Sequence, residues 1–523
     1  MNVSKHTLSF VLLSLFFLLV PLAFVWTKSF ALGVSLSSVA VIFTLLLFSV
    51  FLAETLATKN LFLPLNFLSW SIPLLVFVGG LSSFAAFPVS MSVFGLGNEV
   101  TTLIFLSSLA IIIFVTPQVL RGITSILGSI YLFLIGIFIS VFVWLLTYIW
   151  TEAFSILAIH NVSSWSGSLY SLSFFAVLGV IFSVFAFEFL SLSRFRMLFF
   201  GLLLTLSVGV LAVAGAKEVF IAASAASLLA ICLTFFYAET EEKPDDFFAV
   251  LDEKKKGHFN LRASLPFLAL LIFFLALSIW GKDLSLQVSG KLKFPSEVSS
   301  ENTTSVFWSE TSRLFVDTIR NRPILGSGLN TFSQIWGWSR SEDINQTELW
   351  DKIPLSASGF LPTWFIEAGL VFSLLTVVFF CLFITAGISS VRKKFKEAKR
   401  ENKFLMLSSF LGALIGWLVL FLASPGLLSY LATAVLTGIC FAVWQENKIL
   451  TLGRLTLWKG KKGIIAGTVL YVLLLLTLHS VWILGRKTYA LNELSESIVV
   501  FNETQMTAEA EFKMLNAAEK GGD

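Results

Sequence analysis

The chain has 523 residues, is 56% hydrophobic and only 13% charged, and carries a formal net charge of +4. A soluble domain holds roughly 25% charged residues, so this composition excludes a soluble globular protein and points to a chain that crosses a bilayer many times. Its three cysteines, Cys232, Cys381 and Cys440, fall in apolar runs without metal or disulfide spacing and read as buried free thiols.

A helix needs ~20 mostly apolar residues to cross a bilayer. Thirteen stretches satisfy this: 8–26, 31–53, 67–86, 100–116, 123–149, 169–190, 197–214, 219–237, 262–280, 361–388, 404–423, 427–444 and 464–485. These are long continuous runs, unlike the short alternating strands of a barrel. The expected fold is an all-α polytopic membrane protein with about 13 transmembrane helices. Residues 1–280 form the first bundle, 281–360 a large loop containing short helices, 361–485 the remaining spans and 486–523 a tail. The 8–26 run has no clear small-residue cleavage site after it and reads as a first span, not a signal peptide.

Orientation follows from Lys and Arg, which concentrate on the cytoplasmic side. The most basic segments are Arg392 to Lys403, Lys448 to Lys462, and Lys243 with Lys254, Lys255 and Lys256. With these inside, the connections bearing Lys59, Arg121, and Arg194 with Arg196 also fall inside, as does Lys5. The N-terminus is then cytoplasmic, and the 281–360 loop and the tail are extracytoplasmic. The basic runs read as topology determinants beside anionic lipid, not as nucleic-acid sites.

The outer loop nevertheless carries eight Lys and Arg residues: Lys282, Lys291, Lys293, Arg313, Arg320, Arg322, Arg340 and Lys352. Long loops translocate regardless of charge, so the topology survives, but the cations need a purpose. Guanidinium groups bind phosphate bidentately; the plainer alternative is pairing with Asp317, Glu342 and Asp343. Helical spacing over 305–319 puts Arg313 and Arg320 on one face, and Pro323 ends that helix. Gly326 and Gly328 follow in a turn-rich passage, and Trp336, Trp338 and Trp350 suit an interface or a sugar ring. After the last span, 486–523 reads as one or two amphipathic helices.

The passage Ile319-Arg320-Asn321-Arg322-Pro323-Ile324-Leu325-Gly326-Ser327-Gly328-Leu329-Asn330-Thr331-Phe332 resembles the outer-loop signature of the O-antigen ligase and polymerase superfamily. Farther on, Pro362-Thr363-Trp364-Phe365-Ile366-Glu367-Ala368-Gly369-Leu370-Val371 is similar to that family's opening of the next span. The resemblance covers about 190–445. It implies a metal-independent glycosyltransferase without cofactor in the bacterial cytoplasmic membrane. Such enzymes move a glycan from an undecaprenyl-diphosphate carrier to a lipid, glycan or protein acceptor on the outer face.

By that resemblance Arg313, Arg320 and Arg322 hold the donor diphosphate. Lys217, in Ala214-Gly215-Ala216-Lys217-Glu218, stands where the family has a phosphate-binding Arg; the alternative is a local pair with Glu218. The family's His-Asn pair is replaced here by Ser358 and Gly359, neither of which is a base near neutral pH. The remaining catalytic candidates are Glu367, near the outer end of a span, and His160, beside Asn161 in the outer 150–168 connection. Glu367 also fits a helix-terminal acid. Two further readings stay open: a transporter or flippase of an amphipathic envelope precursor, against which the spans carry few mid-depth charges, and a non-catalytic glycan-lipid-binding member of the family.

Overall fold

The computed structural model describes residues 6–26, 36–95, 99–149, 169–238, 261–292, 306–347, 350, 353–395, 398–423, 426–504 and 514–515. Each of the thirteen apolar runs carries a helix. In the first part of the chain these are α1 (Thr7–Trp26), α2 (Leu36–Thr58), α3 (Phe67–Ser83), α5 (Leu103–Val119), α6 (Ile123–Ile149), α7 (Leu169–Phe189), α8 (Arg194–Ala214), α9 (Lys217–Ala238) and α10 (Leu261–Leu292). A single turn of helix, α4 (Val89–Val93), lies between α3 and α5. Two short helices, α11 (Trp308–Asn321) and α12 (Phe332–Ser339), occupy the large loop. The remaining long helices are α13 (Phe360–Lys394), α14 (Arg400–Leu422), α15 (Leu427–Glu446) and α16 (Gly460–Thr504). Among the described residues, nine helices are long and apolar enough to cross a membrane, and shorter apolar helices occupy Thr7–Ala23, Phe67–Ser83 and Leu103–Val119. The protein is a helical, multi-pass membrane protein.

Burial sets the order of the bundle. The apolar window of α15 is 100% buried, whereas that of α16 is 11% buried. The first is the axis, packed by α5 and α14; the second lies on the rim against α2. Hydroxyls inside the spans return to their own helix, as Thr44 does to the Ala40 carbonyl (2.8 Å) and Thr433 to that of Ser429 (2.7 Å). A polar group left unpaired in lipid is costly, and for these hydroxyls the back-bond removes that cost.

The connections sort to two ends. At one end Glu54 accepts the Leu8 N–H (2.9 Å) and the Ser9 hydroxyl (2.5 Å), capping α1 from α2. Arg121 covers the Phe62 ring, and Gly122 N–H donates to Glu446. Lys403 lies over Phe395, which meets Phe189 edge to face. The described basic connections thus share this end, while Lys5 and the 239–260 connection with Lys243, Lys254, Lys255 and Lys256 lie outside the described residues. At the other end gather the 84–102 connection, the α8–α9 corner and the large loop, joined for example by the Thr101–Asn330 hydrogen bond (3.0 Å) and by Ser285, which bonds the Val213 carbonyl.

Three features depart from the sequence reading. An antiparallel ribbon pairs β1 (Asn60–Pro64) with β2 (Leu452–Thr456), Phe62 facing Arg454. Each strand is only five residues long and its partner lies almost 400 residues away, so no local periodicity announces it. Secondly, α16 runs unbroken from Gly460 to Thr504, making the last span and the start of the tail one helix; α10 likewise continues past residue 280 to Leu292. Thirdly, Cys440 is buried as expected, but Cys232 and Cys381 are exposed, on the outward sides of their helices.

Candidate functional site

The large loop builds a small core of its own. Helix α11 is strongly amphipathic, with Thr311, Leu314 and Thr318 buried. Leu314 packs with Val306, Phe332, Ile335, Trp336 and Ile344, and this cluster closes on Ile366 of α13. The helix stops at Asn321 and Pro323 follows, as its missing N–H requires.

The two passages that carried the family resemblance lie against each other. Helix α13 breaks at Gly369, whose φ of 75° and ψ of −169° are not helical. That break leaves backbone groups without their i→i−4 partners, and the Pro323–Gly328 turn supplies new ones. Leu370 N–H donates to the Pro323 carbonyl (2.9 Å), Val371 N–H to that of Ile324 (3.4 Å), and Gly328 N–H to that of Glu367 (2.9 Å). Such contact needs bare backbone. A Cβ on Gly326 would strike the Glu367 carbonyl, and one on Gly369 would strike the Gly326 nitrogen. Both have positive φ, 65° and 75°, where a side chain is strained.

Neighbouring connections pin this turn. Ser82 donates to the Leu325 carbonyl (2.7 Å). Asn330, at φ 59°, donates to the Met91 carbonyl (3.0 Å) and accepts from Thr101. Asn tolerates left-handed backbone, which was the available sequence signal for it; the roles of Ser82 and Thr101 left none.

The predicted cations separate into two kinds. Arg313 is half-buried and engaged: it pairs with Glu310 (2.8 Å) and Asp317 (3.3 Å) and bonds the Ser339 carbonyl. Glu310 also accepts from Ser341 (2.8 Å), so Arg313 and Glu310 clamp α11 to the end of α12. Burial pushes the Glu310 carboxyl up, but the hydrogen bonds from Arg313 and Ser341 and the Arg313 charge outweigh it and hold Glu310 below the usual carboxylate range. Arg320 and Arg322, by contrast, are exposed and have no side-chain partner among the described residues. Lys217 is also exposed and unpaired there, opening α9 directly after the left-handed Gly215. Arg320 and Arg322 stand together; no interaction links Lys217 to either of them among the described residues. The expected Arg320–Arg313 face exists, but its two ends do different work.

Glu367 is fully buried. Its Oε1 accepts the Phe332 N–H (2.9 Å), and the N–H groups of Asn330 and Thr331 also turn toward the carboxylate. It is therefore a helix-terminal acid, but for α12, 35 residues back, and not for its own helix. Negative charge is favoured at such an end. Ser358, at the position of the family's histidine, is buried and donates to Thr311 Oγ1 (2.8 Å). His160 lies outside the described residues.

Below the turn, α3, α5, α13 and α14 line an apolar cleft whose walls include Leu361, Trp364, Phe372 and Trp417. Trp364 and Phe372 flank the Gly369 break. The site therefore combines free guanidinium groups beside the Pro323 turn with an apolar cleft reached from the helix that the turn repairs. Among the described residues there is no group of His, Cys, Asp and Glu able to hold a metal ion. Compared with known proteins, the chain matches no family model, and no curated protein is significantly similar to it in sequence.

Proposed function

We propose that this protein is a membrane glycosyltransferase of the O-antigen ligase and polymerase type, moving a glycan from an undecaprenyl-diphosphate carrier to an acceptor on the outer face of the bacterial cytoplasmic membrane. One observation carries the reading: the Pro323–Gly328 turn closes the break in α13 at Gly369, setting the unpaired Arg320 and Arg322 beside the helix that walls the apolar cleft. A lipid diphosphate needs both features, cations for the head and an apolar groove for the chain.

In this reading Arg320 and Arg322, with Lys217 from α9, bind the diphosphate. As the glycosidic C–O bond breaks, negative charge grows on the leaving phosphate oxygen, and fixed guanidinium groups stabilise it. Arg313 and Glu367 position the site: the first clamps α11 to α12, the second caps α12. His160 remains the candidate base for the acceptor hydroxyl. The proposal includes thirteen spans with the N-terminus cytoplasmic, and the gathering of the described basic connections at one end of the bundle supports that orientation.

A second reading, a non-catalytic member that binds a glycan-lipid, draws on one observation: Ser358 and Gly359 replace the family's His-Asn pair, and Ser358 is buried against Thr311. The deciding experiment is glycan transfer in membranes of a strain lacking its own ligase and polymerase. Transfer by the wild type, lost in Arg320→Ala and Lys217→Ala, supports the enzyme. Absence of transfer by a well-inserted wild type that still binds lipid diphosphate supports the second reading. Absence of both overturns the two together.

A further inference from the structure

His479 of α16 is a polar side chain that the reaction proposed above does not use. It is exposed, its ring stacks on Trp482 of the next turn, and it makes no hydrogen bond within the described residues.

Its depth follows from α2. The Ser49 and Thr477 hydroxyls meet at 3.0 Å and fix the register of the two helices. At the helical rise, Ser49 lies about 20 Å along α2 from Leu36 at one end of that span. It lies about 8 Å from Glu54, which caps α1 near the other end. From Gly460, α16 runs toward the end of the bundle where Lys487 lies over Phe94, so His479 stands about 3 Å outward of Thr477. This places it well inside the hydrocarbon.

Its direction follows from the side that α16 buries. Leu470, Thr477 and Leu484 are buried, Thr477 against Ser49. At 3.6 residues per turn, His479 points almost directly away from Thr477, toward lipid. Val472, Leu475 and Leu476 share its face and are exposed.

A polar group facing lipid without a partner is costly, and ionisable residues within spans pair with one another or face a functional path. Long Lys and Arg side chains near helix ends reach the headgroups; the short imidazole at this depth does not. Its partner therefore comes from a neighbouring transmembrane helix. All copies of this chain insert the same way, so two of them side by side share a twofold axis along the bilayer normal and present each residue at one depth. A neutral imidazole has one donor and one acceptor nitrogen, so two of them bond each other. The exposed side of α16 is self-complementary in this sense.

We propose that α16 is the interface of a homodimer, in which the two His479 side chains hydrogen-bond across the twofold axis and Val472, Leu475 and Leu476 pack around them. The inference does not rest on the reaction proposed above.

The test uses the full chain, fluorescently tagged, in phosphatidylcholine liposomes at falling protein-to-lipid ratio, with single-molecule photobleaching to count copies. The wild type should pass from dimer to monomer on dilution. His479→Leu should weaken the dimer about threefold or more, the contribution of an average interhelical hydrogen bond in lipid, whereas His479→Asn, which keeps a donor and an acceptor, should retain it. Thermal unfolding at the monomeric dilution should be the same for all three. In a chain carrying Cys232→Ala and Cys381→Ala, mild oxidation should link Leu475→Cys and His479→Cys into dimers, and Leu473→Cys, a third of a turn away, much less. Monomers at every ratio, unchanged dimerisation in His479→Leu, or equal linking at Leu473→Cys overturn the proposal. Linking of Leu475→Cys to a different membrane protein, with no dimer formed, overturns it in favour of a heteromeric partner helix.

Discussion

Gly326 and Gly369 stand backbone against backbone, so close that a Cβ on either would run into the main chain of the other. Both hold positive φ. Their contact joins the turn of the outer loop to the break in α13.

Alanine at either glycine should therefore cost more than backbone strain alone. Left-handed backbone costs an L-residue about 1–2 kcal/mol; the steric clash comes on top. Gly122→Ala is the control, since its φ is 87° but a Cβ there meets nothing within 4 Å. Thermal unfolding in detergent should show a larger fall for Gly326→Ala and Gly369→Ala than for Gly122→Ala. The pair should also be non-additive in the double variant, as contacting residues are. Equal falls in all three would refute the close-contact account.

Glu367→Gln should keep the fold and most of any transfer activity. The amide still offers an oxygen to the Phe332 N–H, which is the bond the carboxylate makes. Transfer should fall less than about tenfold with an unchanged pH profile, against the roughly 10²–10⁴-fold expected for loss of a general base. Glu367→Ala, which leaves the first turn of α12 uncapped, should lower thermal stability. A matching large loss in both variants would return Glu367 to the chemistry.

Arg313→Ala and Arg320→Ala should fail differently. The first removes the Glu310 and Asp317 pairs and the bond to Ser339, so hydrogen exchange in α11 should rise. The second leaves no protein partner stranded, so exchange should stay put while binding of a lipid diphosphate weakens about 10-fold or more, the range for hydrogen bonds to charged groups. Increased exchange in both would mean that Arg320 is also part of the loop's framework.

Acid should loosen the same clamp. Glu310 lies below its ordinary pKa in the folded protein, so its contribution is present above the unfolded value of about 4.3. It is lost as pH falls through the lowered folded value. Because Arg313 is partly exposed, solvent screens the pair and the effect is modest. Protection of residues 308–321, corrected for intrinsic exchange, should drop below about pH 4.5; in Glu310→Gln it should be lower at neutral pH and flat across the range.

The ribbon offers a test of orientation. Phe62 and Arg454 face each other across it, so Phe62→Cys with Arg454→Cys should cross-link under mild oxidation. An impermeant maleimide should reach Arg454→Cys only after cells are permeabilised, and should reach Ile324→Cys, 64% exposed on the loop, in intact cells. The reverse pattern would invert the proposed topology.

Much of the architecture was present in local sequence. Long apolar runs can only be helices in lipid, and each of them carries one. The amphipathic spacing of the outer loop and Pro323 likewise marked α11 and its end, because periodicity and proline act within a turn or two. The division of the arginines did not lie there. Arg313 and Arg320 are the same residue type on the same face; Arg313 pairs with Glu310 and Asp317 of its own helix, and the arrival of Ser339 and Ser341 from the end of α12 makes that pair a clamp, whereas Arg320 has no side-chain partner among the described residues. Glu367 was legible as a helix-terminal acid, yet which helix it serves depended on the loop folding back over 35 residues. The β-ribbon and the Gly326–Gly369 contact have the same cause. Hydropathy, caps and turns are set by neighbours in the chain, whereas a hydrogen bond between two connections exists only once the bundle has brought its ends together.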